Sequence, residues 1–185
     1  MNYANIKKYD ISNGTGVRVS LYVSGCRNHC KGCFNPETWD FNYGKKYTQE
    51  IQDEILNELK KSYINGLTIL GGEPMEPENQ ECVYELIRNI RDEFKSNKSI
   101  WIFSGYKIEE LINKNNKTYT NYTNKILNNI DILVDGKFIE ELKNISLRFR
   151  GSENQRIIDM NKTRNISSNY STIILWDGMN DRDKS

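Results

Sequence analysis

The segment GVRVSLYVSGCRNHCKGC, from Gly16 to Cys33, joins a strand pattern to a compact group of cysteines. Apolar and polar residues alternate in its first half, which predicts a strand over Val17–Val23 with one buried face. Its second half places Cys26, Cys30 and Cys33, three of the four cysteines in the chain, at the spacing C-x3-C-x2-C. A loop that gathers three thiols directly after a strand is the first candidate for a functional site.

The composition of the chain narrows the classes of protein to which it can belong. A length of 185 residues suits one domain, 1–185, with a core over about 9–176 and a charged tail over 177–185. The net charge of +1 gives no reason to expect nucleic acid or an anionic membrane as a partner. No apolar run reaches transmembrane length and no signal-peptide pattern opens the sequence, so the expected location is cytoplasmic. Thiols stay reduced there, which favours metal binding or redox chemistry over disulfides.

Further strands and helices alternate along the rest of the chain. Strands are predicted at Leu67–Leu70, Ser99–Phe103 and about Ile132–Val134, with two more candidates in RIIDM (156–160) and STIILW (171–176). Helices are predicted from Thr48 to about Lys61, from Pro77 onward, and as short segments near Ile108 and Ile126, whereas Asn113–Asn124 is predicted to be a surface loop or insertion. The alternation predicts an α/β fold with mostly parallel strands, and the short chain favours a partial, incomplete β/α barrel over a complete one.

Four loops with suggestive chemistry each follow a predicted strand. They are the cysteine loop, the turn Gly71-Gly72-Glu73-Pro74, the exit turn at Ser104, and Asp135-Gly136-Lys137. Because loops at the carboxyl ends of parallel strands converge, we expect these four to form one site.

The cysteines form an unusual donor set for a metal. Structural zinc takes four closed ligands, commonly as two separated pairs, but this chain has one triplet and no second pair. His29 is adjacent to Cys30 and sterically awkward for the same ion, and Cys82 lies in a helix pattern typical of a small core residue. A four-iron cluster held by three thiolates leaves one iron open to a small molecule, and we favour such a cluster over structural zinc.

The spacing C-x3-C-x2-C after a first strand is typical of the radical S-adenosylmethionine (radical SAM) enzymes. Together with GGEP, DILVDGKF and LRFRGSENQRIIDM in this order, it makes the chain from about Tyr9 to Met160 resemble the activating enzymes of anaerobic, class III ribonucleotide reductases. Gly32 stands where many superfamily members carry an aromatic residue. The cysteine-rich insert of larger glycyl-radical activases has no counterpart, since Cys82 is the only cysteine outside the triplet.

The resemblance implies a radical SAM oxidoreductase. Its [4Fe-4S] cluster would be held by Cys26, Cys30 and Cys33, and the amine and carboxylate of S-adenosyl-L-methionine would ligate the open iron. Reductive cleavage would give methionine and a 5′-deoxyadenosyl radical, which would take hydrogen from a backbone glycine of the partner. The implied partners are the large subunit of anaerobic ribonucleotide reductase and, as electron donor, reduced flavodoxin or a similar protein.

The resemblance also assigns further residues to S-adenosylmethionine. Gly71, Gly72, Glu73 and Pro74 would contact its amino group, Ser104 is a weaker candidate contact, Asp135 and Lys137 would approach its ribose and carboxylate, and the segment with Gly151 and Ser152 would line the adenosine side. Two residues keep alternative roles. His29 could tune the cluster by a hydrogen bond or be an ordinary loop histidine, and Trp39 could shield the cluster or pack in the core.

Three other functions remain to be weighed. An activase for another glycyl radical enzyme, such as pyruvate formate-lyase, fits less well because the insert is lacking and RGSENQRIID is present. A non-catalytic iron–sulfur electron carrier usually completes its cluster with a fourth cysteine. A zinc-binding interaction module is disfavoured by the ligand count.

Overall fold

This computed structural model describes residues 1–178, which form seven β-strands and five α-helices. The strands are β1 (Asn2–Asp10), β2 (Val17–Val23), β3 (Lys45–Lys46), β4 (Ile64–Gly71), β5 (Ser99–Ser104), β6 (Ile132–Asp135) and β7 (Arg156–Asp159). The helices are α1 (Gln49–Leu59), α2 (Pro77–Phe94), α3 (Ile108–Leu111), α4 (Thr123–Leu127) and α5 (Met160–Ile166), with short 3-10 turns at Pro36–Trp39 and Glu140–Leu142. None of the helices in this part of the chain is both long and apolar enough to cross a membrane.

The strands form one open, mixed sheet in the order β3-β1-β2-β4-β5-β6-β7. The central strands β2, β4, β5 and β6 are parallel, whereas β1, β3 and β7 pair with their neighbours antiparallel. The predicted α/β class is therefore confirmed. The prediction of mostly parallel strands holds for the centre of the sheet and not for its edges.

The predicted strand Val17–Val23 has the predicted bounds. Strand β4 begins three residues before its predicted start and ends one residue after its predicted end, and β5 and β6 each end one residue later than predicted. The prediction of a strand in STIILW was wrong, because only one isolated bridge joins Leu175 to Ile158. Strands β1 and β3 and helix α5 were not predicted. Of the predicted charged tail, only residues 177 and 178 lie within the described part, and Asp177 pairs with Lys162 at 2.8 Å.

The two faces of the sheet have different cover. The larger core joins the odd-numbered positions of β2 to the apolar stripes of the helices, including Leu21 of β2, Ile55 of α1 and Leu86 of α2. The opposite face carries a smaller aromatic cluster around Trp101, with Phe149 and Trp176 packed against it. The helices thus cover one face, and the other face is left to form a cavity.

A buried arginine joins three of the parallel strands. Arg18 is fully buried, and its guanidinium donates to Thr68 Oγ1 at 2.7 Å, to the Leu67 carbonyl at 2.6 Å and to the Ser99 carbonyl at 2.9 Å. Burial lowers the pKa of Arg18 to about 9. The alternation in the sequence correctly placed Arg18 on the face opposite Val19, but this face is not exposed to solvent here.

The polar segment Asn113–Asn124 is more firmly attached than an ordinary surface loop. The buried amide of Gln80 on α2 donates to the Thr118 carbonyl at 2.7 Å and accepts from the hydroxyls of Thr120 and Thr123 at 2.6 and 2.8 Å. Thr118 is itself fully buried. The prediction of a surface loop therefore holds for only part of the segment, because these hydrogen bonds pack the rest against α2.

Candidate functional site

A cavity of about 510 Å³ lies at the carboxyl ends of the parallel strands, on the face that the helices do not cover. Eight of the residues predicted for the site line it: Cys26, Cys30, Cys33, Gly71, Gly72, Glu73, Ser104 and Gly151. The loops after β2, β4 and β5 therefore do converge, as expected for parallel strands.

The three cysteines are free thiols at different depths in the cavity wall. Cys26 is 7% exposed, and Cys30 and Cys33 are half-buried. Burial raises the pKa of Cys26 to about 12 and also raises that of Cys30. The thiolate forms thus need a nearby cation for stabilisation, and iron or zinc supplies one.

The cysteine loop is held by backbone hydrogen bonds to the segment that follows it. The Gly25 amide donates to the Thr38 carbonyl at 2.8 Å, and the Cys26 amide donates to the Trp39 carbonyl at 3.2 Å. The turn after β4 is attached in the same way, since the Glu73 amide donates to the Gly25 carbonyl at 2.8 Å. The segment FNPETW therefore folds back along the first cysteine.

The glycines after β4 allow this close packing. Gly71 has φ +106°, which strains any residue with a side chain. A β-carbon on Gly72 would lie 2.7 Å from the Gly25 carbonyl oxygen and 2.9 Å from the Thr38 carbonyl oxygen. The resemblance assigns these glycines to contact with S-adenosylmethionine; the structure shows that Gly72 lets the cysteine loop approach the turn closely.

Glu73 is buried, and its carboxylate accepts four hydrogen bonds from the protein. Oε1 accepts from the Met75 amide at 2.9 Å and the Ser104 hydroxyl at 2.8 Å, while Oε2 accepts from the Gly105 amide at 2.7 Å and Asn28 Nδ2 at 3.2 Å. Burial raises the pKa of Glu73 to about 7, against the effect of these donors. Glu73 and Ser104 thus join three loops of the site to one another.

A second buried carboxylate, which the sequence did not single out, supports the same loop. Glu76 is 1% exposed and accepts from the Arg27 amide at 2.9 Å, from the Arg27 guanidinium at 2.6 Å and from the Tyr106 hydroxyl at 3.0 Å. Arg27 also pairs with Glu78 and lies over the ring of Phe41. The sequence signal that could have identified Glu76 was its position three residues after Glu73.

Four predicted residues do not line the cavity: Pro74, Asp135, Lys137 and Ser152. Asp135 is fully buried and accepts from Arg156 at 2.9 and 2.6 Å and from the Ile108 amide at 2.8 Å. Ser152 Oγ accepts from the Ile139 amide. Lys137 is exposed, and its charge acts on Cys30, where it opposes the effect of burial on the pKa of the thiol.

Further residues complete the wall. Arg150 and Gln155 belong to the segment that was predicted to line the adenosine side, whereas the sequence did not single out Tyr22, Asn28, Phe34, Phe103, Phe138 and Phe149. Phe34 and Phe138 contact each other with ring centroids 5.2 Å apart. Both follow predicted site residues directly in the sequence, Cys33 and Lys137, and that adjacency was the signal that could have identified them.

His29 and Trp39 form one stacked pair at the cysteine loop. Their rings are 4.6 Å apart with an interplanar angle of 8°. His29 has φ +44°, in the left-handed region, and Trp39 lines the cavity. The fourth cysteine lies elsewhere, because Cys82 on α2 is near the N-terminal ammonium, with Sγ 3.9 Å from the Met1 nitrogen.

The donor set fits an iron–sulfur cluster. Within residues 1–178, no group of three or more His, Cys, Asp or Glu side chains is arranged to hold a single metal ion. The thiolates that hold a four-iron cluster bind different irons, so three thiols around one cavity suit it.

Comparison with known proteins identifies the chain at the level of family. Residues 12–158 match the family of the 4Fe-4S single cluster domain. The chain is 42% identical over 159 residues to the anaerobic ribonucleoside-triphosphate reductase-activating protein of Vibrio cholerae serotype O1, a match that covers 85% of this chain and 97% of the relative.

Relatives of the same name occur in a bacterium and in a virus. The protein of Escherichia coli strain K12 is 40% identical over 157 residues, covering 84% of this chain and 96% of the relative. That of Enterobacteria phage T4 is 38% identical over 157 residues, covering 85% and 93%. The chain belongs to the family of anaerobic ribonucleoside-triphosphate reductase-activating proteins, and it carries their 4Fe-4S domain.

Proposed function

We propose that the protein is a radical SAM activase that reductively cleaves S-adenosylmethionine and generates the glycyl radical of anaerobic ribonucleotide reductase. The observation that carries this proposal is the meeting of Cys26, Cys30 and Cys33 with the Gly71-Gly72 turn in one cavity. The proposal includes a single domain over 1–185 that curves as a partial barrel of the radical SAM type. The names of the relatives favour ribonucleotide reductase over pyruvate formate-lyase as the target.

Cys26, Cys30 and Cys33 would hold the [4Fe-4S] cluster through their thiolates. The cluster and S-adenosylmethionine, when bound, supply the electron transfer and the carbon radical that side chains cannot provide. Because burial raises the pKa of the Cys26 thiol, iron would have to displace its proton, and binding should weaken as the pH falls.

The chain's own contribution is position and seclusion. The backbone at Gly71 and Gly72 lines the cavity and offers carbonyl acceptors for an ammonium group. Both carboxylate oxygens of Glu73 already accept hydrogen bonds from the protein, so Glu73 would orient the turn. Any hydrogen bond from the ligand to Glu73 would be additional to these. Phe34, Phe138 and Phe149 would exclude water from the reacting atoms.

Asp135 would act indirectly, by holding the backbone beside the cavity in place. Its buried ion pair with Arg156 fixes the end of β6 against β7, and Gly136, the next residue, lines the cavity. Lys137 would place a positive charge near Cys30, and Gly151 and Ser152 would shape the segment that closes the adenosine side. Pro74 would end the turn before α2.

The proposed target is the large subunit of anaerobic ribonucleotide reductase; the names of the relatives describe those proteins as activating an anaerobic ribonucleoside-triphosphate reductase. We propose reduced flavodoxin or a similar protein as the electron donor and the cytoplasm as the location. A reduced electron donor and the reducing environment of the cytoplasm both suit an oxygen-sensitive 4Fe-4S cluster that must be reduced.

The test begins with anaerobic reconstitution of the cluster from iron and sulfide. After reduction, added S-adenosylmethionine should yield methionine and 5′-deoxyadenosine, and a cognate reductase should gain a glycyl radical signal in electron paramagnetic resonance. An intact four-iron cluster that leaves S-adenosylmethionine uncleaved would contradict the proposal. Omission of the activase, of S-adenosylmethionine or of the reductant supplies the three controls.

A further inference from the structure

The segment between β6 and β7 forms one side of the cavity mouth. Phe138 and Phe149, from the two arms of this segment, line the cavity. The arms are held together, because the Glu153 amide donates to the Leu142 carbonyl at 2.9 Å. The segment is therefore a folded wall, and its outer side presents a defined surface beside the mouth.

Four large apolar side chains are exposed on this side of the mouth. Ile145 is 93% exposed and Phe34 is 62% exposed, while Ile139 and Leu142 are each 38% exposed. Phe34, from the cysteine loop, contacts Phe138 of the segment, so the exposed side chains continue the cavity wall outward. We call Phe34, Ile139, Leu142 and Ile145 the apolar rim. Exposed apolar groups that border a site are typical of interaction surfaces.

Cationic side chains flank the apolar rim. Lys143 Nζ lies 5.1 Å from the centroid of the Phe34 ring, and the guanidinium carbon of Arg148 lies 5.1 Å from the centroid of the Phe149 ring. Lys143, Arg148 and Lys137 are exposed, and no carboxylate of residues 1–178 forms an ion pair with them. The mouth thus presents apolar side chains beside unpaired positive charge.

The acidic side chains of the segment only partly offset these cations. Lys31 of the cysteine loop pairs with Glu140 at 3.1 Å and with Glu141 at 3.4 Å. Residues 137–153 and Lys31 together carry five cationic and three acidic side chains, which leaves a net charge of +2. Such a surface is complementary to a partner that carries carboxylates.

The proposed reaction requires a protein surface at this mouth. The radical takes hydrogen from a backbone glycine of the partner, and a backbone atom reaches the cavity only when the partner lies against its rim. Closing the mouth also excludes water from the reacting atoms. The apolar rim continues the wall formed by Phe34 and Phe138, so a partner that fills the mouth would also cover the rim.

We propose that the apolar rim and its flanking cations are a docking surface for the part of the reductase that carries the radical glycine. Apolar side chains of that part would cover Ile139, Leu142 and Ile145, and its carboxylates would face Lys143 and Arg148. The inference rests on the proposed function for the identity of the partner, and it adds the surface and the chemistry that select this partner.

The first experiment compares wild-type protein with Ile145→Asp, a change at a side chain too exposed to support the core. Both proteins are loaded with the cluster to equal iron content. We expect equal cleavage of S-adenosylmethionine without the reductase and a rise of about tenfold in the dissociation constant for the reductase, measured anaerobically by biolayer interferometry. The glycyl radical yield should fall at reductase concentrations below the new dissociation constant.

Ile166→Asp is the matched control for this change. Ile166 is 63% exposed at the end of α5 and does not line the cavity, so the variant should keep the wild-type dissociation constant. Leu142→Asp, in the rim, should weaken binding as Ile145→Asp does. Wild-type affinity for the reductase in both rim variants would overturn the inference.

The flanking cations are tested by charge reversal and by salt. The double variant Lys143→Glu with Arg148→Glu should bind the reductase more weakly while it cleaves S-adenosylmethionine at the wild-type rate. Association of the wild-type protein should slow as the ionic strength rises, and the double variant should lose most of this dependence. A wild-type association rate that salt leaves unchanged would overturn the role of the cations.

Two other occupants of the surface would give different results. A second copy of the chain is indicated if Ile145→Asp abolishes self-association of the activase and leaves binding of the reductase unchanged. The electron donor is indicated if the variant binds the reductase normally and loses cleavage driven by reduced flavodoxin but not by dithionite. Either result overturns the inference, whereas a wild-type cluster that leaves S-adenosylmethionine uncleaved would overturn the proposed function.

Discussion

At the scale of single residues, the candidate site separates ligands from supports. Three cysteines line the cavity, and the fourth, Cys82, lies on α2 beside the N-terminus. Glu73 and Glu76 are buried beside the cysteine loop, and each is occupied by hydrogen bonds to other loops. The candidate ligands are thus presented by a loop that is held by the hydrogen bonds of these two carboxylates.

This separation predicts a sharp difference among the cysteine variants. Cys26→Ala, Cys30→Ala and Cys33→Ala should each abolish cleavage of S-adenosylmethionine, because each removes a thiolate from the cluster. Cys82→Ala should retain activity and iron content. Product formation and iron per chain are the measurements, and an inactive but folded Cys82→Ala protein would show that the ligand set is wrong.

At the scale of secondary-structure elements, the start of α2 is coupled to the cysteine loop. Glu76 precedes Pro77, the first residue of the helix, and receives both the amide and the guanidinium of Arg27. The helix therefore anchors the interval between the first two cysteines. Sequence periodicity found the helix, but it gave no sign that its preceding residue had this role.

Removal of the Glu76 carboxylate should loosen that anchor. Glu76→Ala leaves the Tyr106 hydroxyl and the Arg27 amide without their acceptor, and we expect a loss of about 1–3 kcal/mol in the free energy of unfolding, together with lower iron content after reconstitution. Glu78→Ala is the matched control, since Glu78 pairs with the same arginine but is exposed, and should cost less than about 1 kcal/mol. Urea unfolding and iron analysis would measure both; equal effects would contradict the anchor.

The contact between β2, β4 and β5 at Arg18 gives a second prediction for these elements. Arg18→Met fills much of the same space but leaves the Leu67 and Ser99 carbonyls without their donor in a buried site. We expect the free energy of unfolding to fall by on the order of 3 kcal/mol, because several acceptors are stranded together. Arg88→Met, at a half-exposed position on α2, should change it by less than about 0.5 kcal/mol. Thermal or urea unfolding of the apoprotein distinguishes the two.

At the scale of the whole molecule, the sheet has a well-packed centre and a thin edge. Strands β4 and β5 have hydrogen-bonded neighbours on both sides and helices on one face, whereas β3 is two exposed lysines at the end of the sheet. The cavity is built at the carboxyl ends of the central strands, so the site rests on the best-supported part of the fold.

Hydrogen exchange should reproduce this gradient. Amides of β4 and β5 should exchange slowest, near the rate set by global unfolding, and those of β3 and its partner residues in β1 should exchange fastest. Mass spectrometry of peptides from the apoprotein would measure the order. Equal protection of β3 and β5 would contradict the assigned edge and centre.

The alternation over Val17–Val23 predicted β2 to the residue, and the spacing of the cysteines with the Gly-Gly turn predicted the centre of the site. These features could be identified because periodicity, ligand spacing and turn chemistry are local properties of the chain. The prediction of a strand in STIILW was wrong because it also used only local properties. The apolar run suits a strand, but only one bridge to β7 forms.

The sequence by itself therefore determined the α/β class, the three candidate cluster ligands and, through its resemblance, the family. Only the tertiary structure decided which carboxylates support the loop and that Asp135 is paired with Arg156. Asp135 shares its side of β6 with Leu133, which packs in the helix-covered core, and its partner comes from a strand 21 residues away. Hydrogen-bond partners of this kind are set by folding across long sequence separations, and no local pattern contains them.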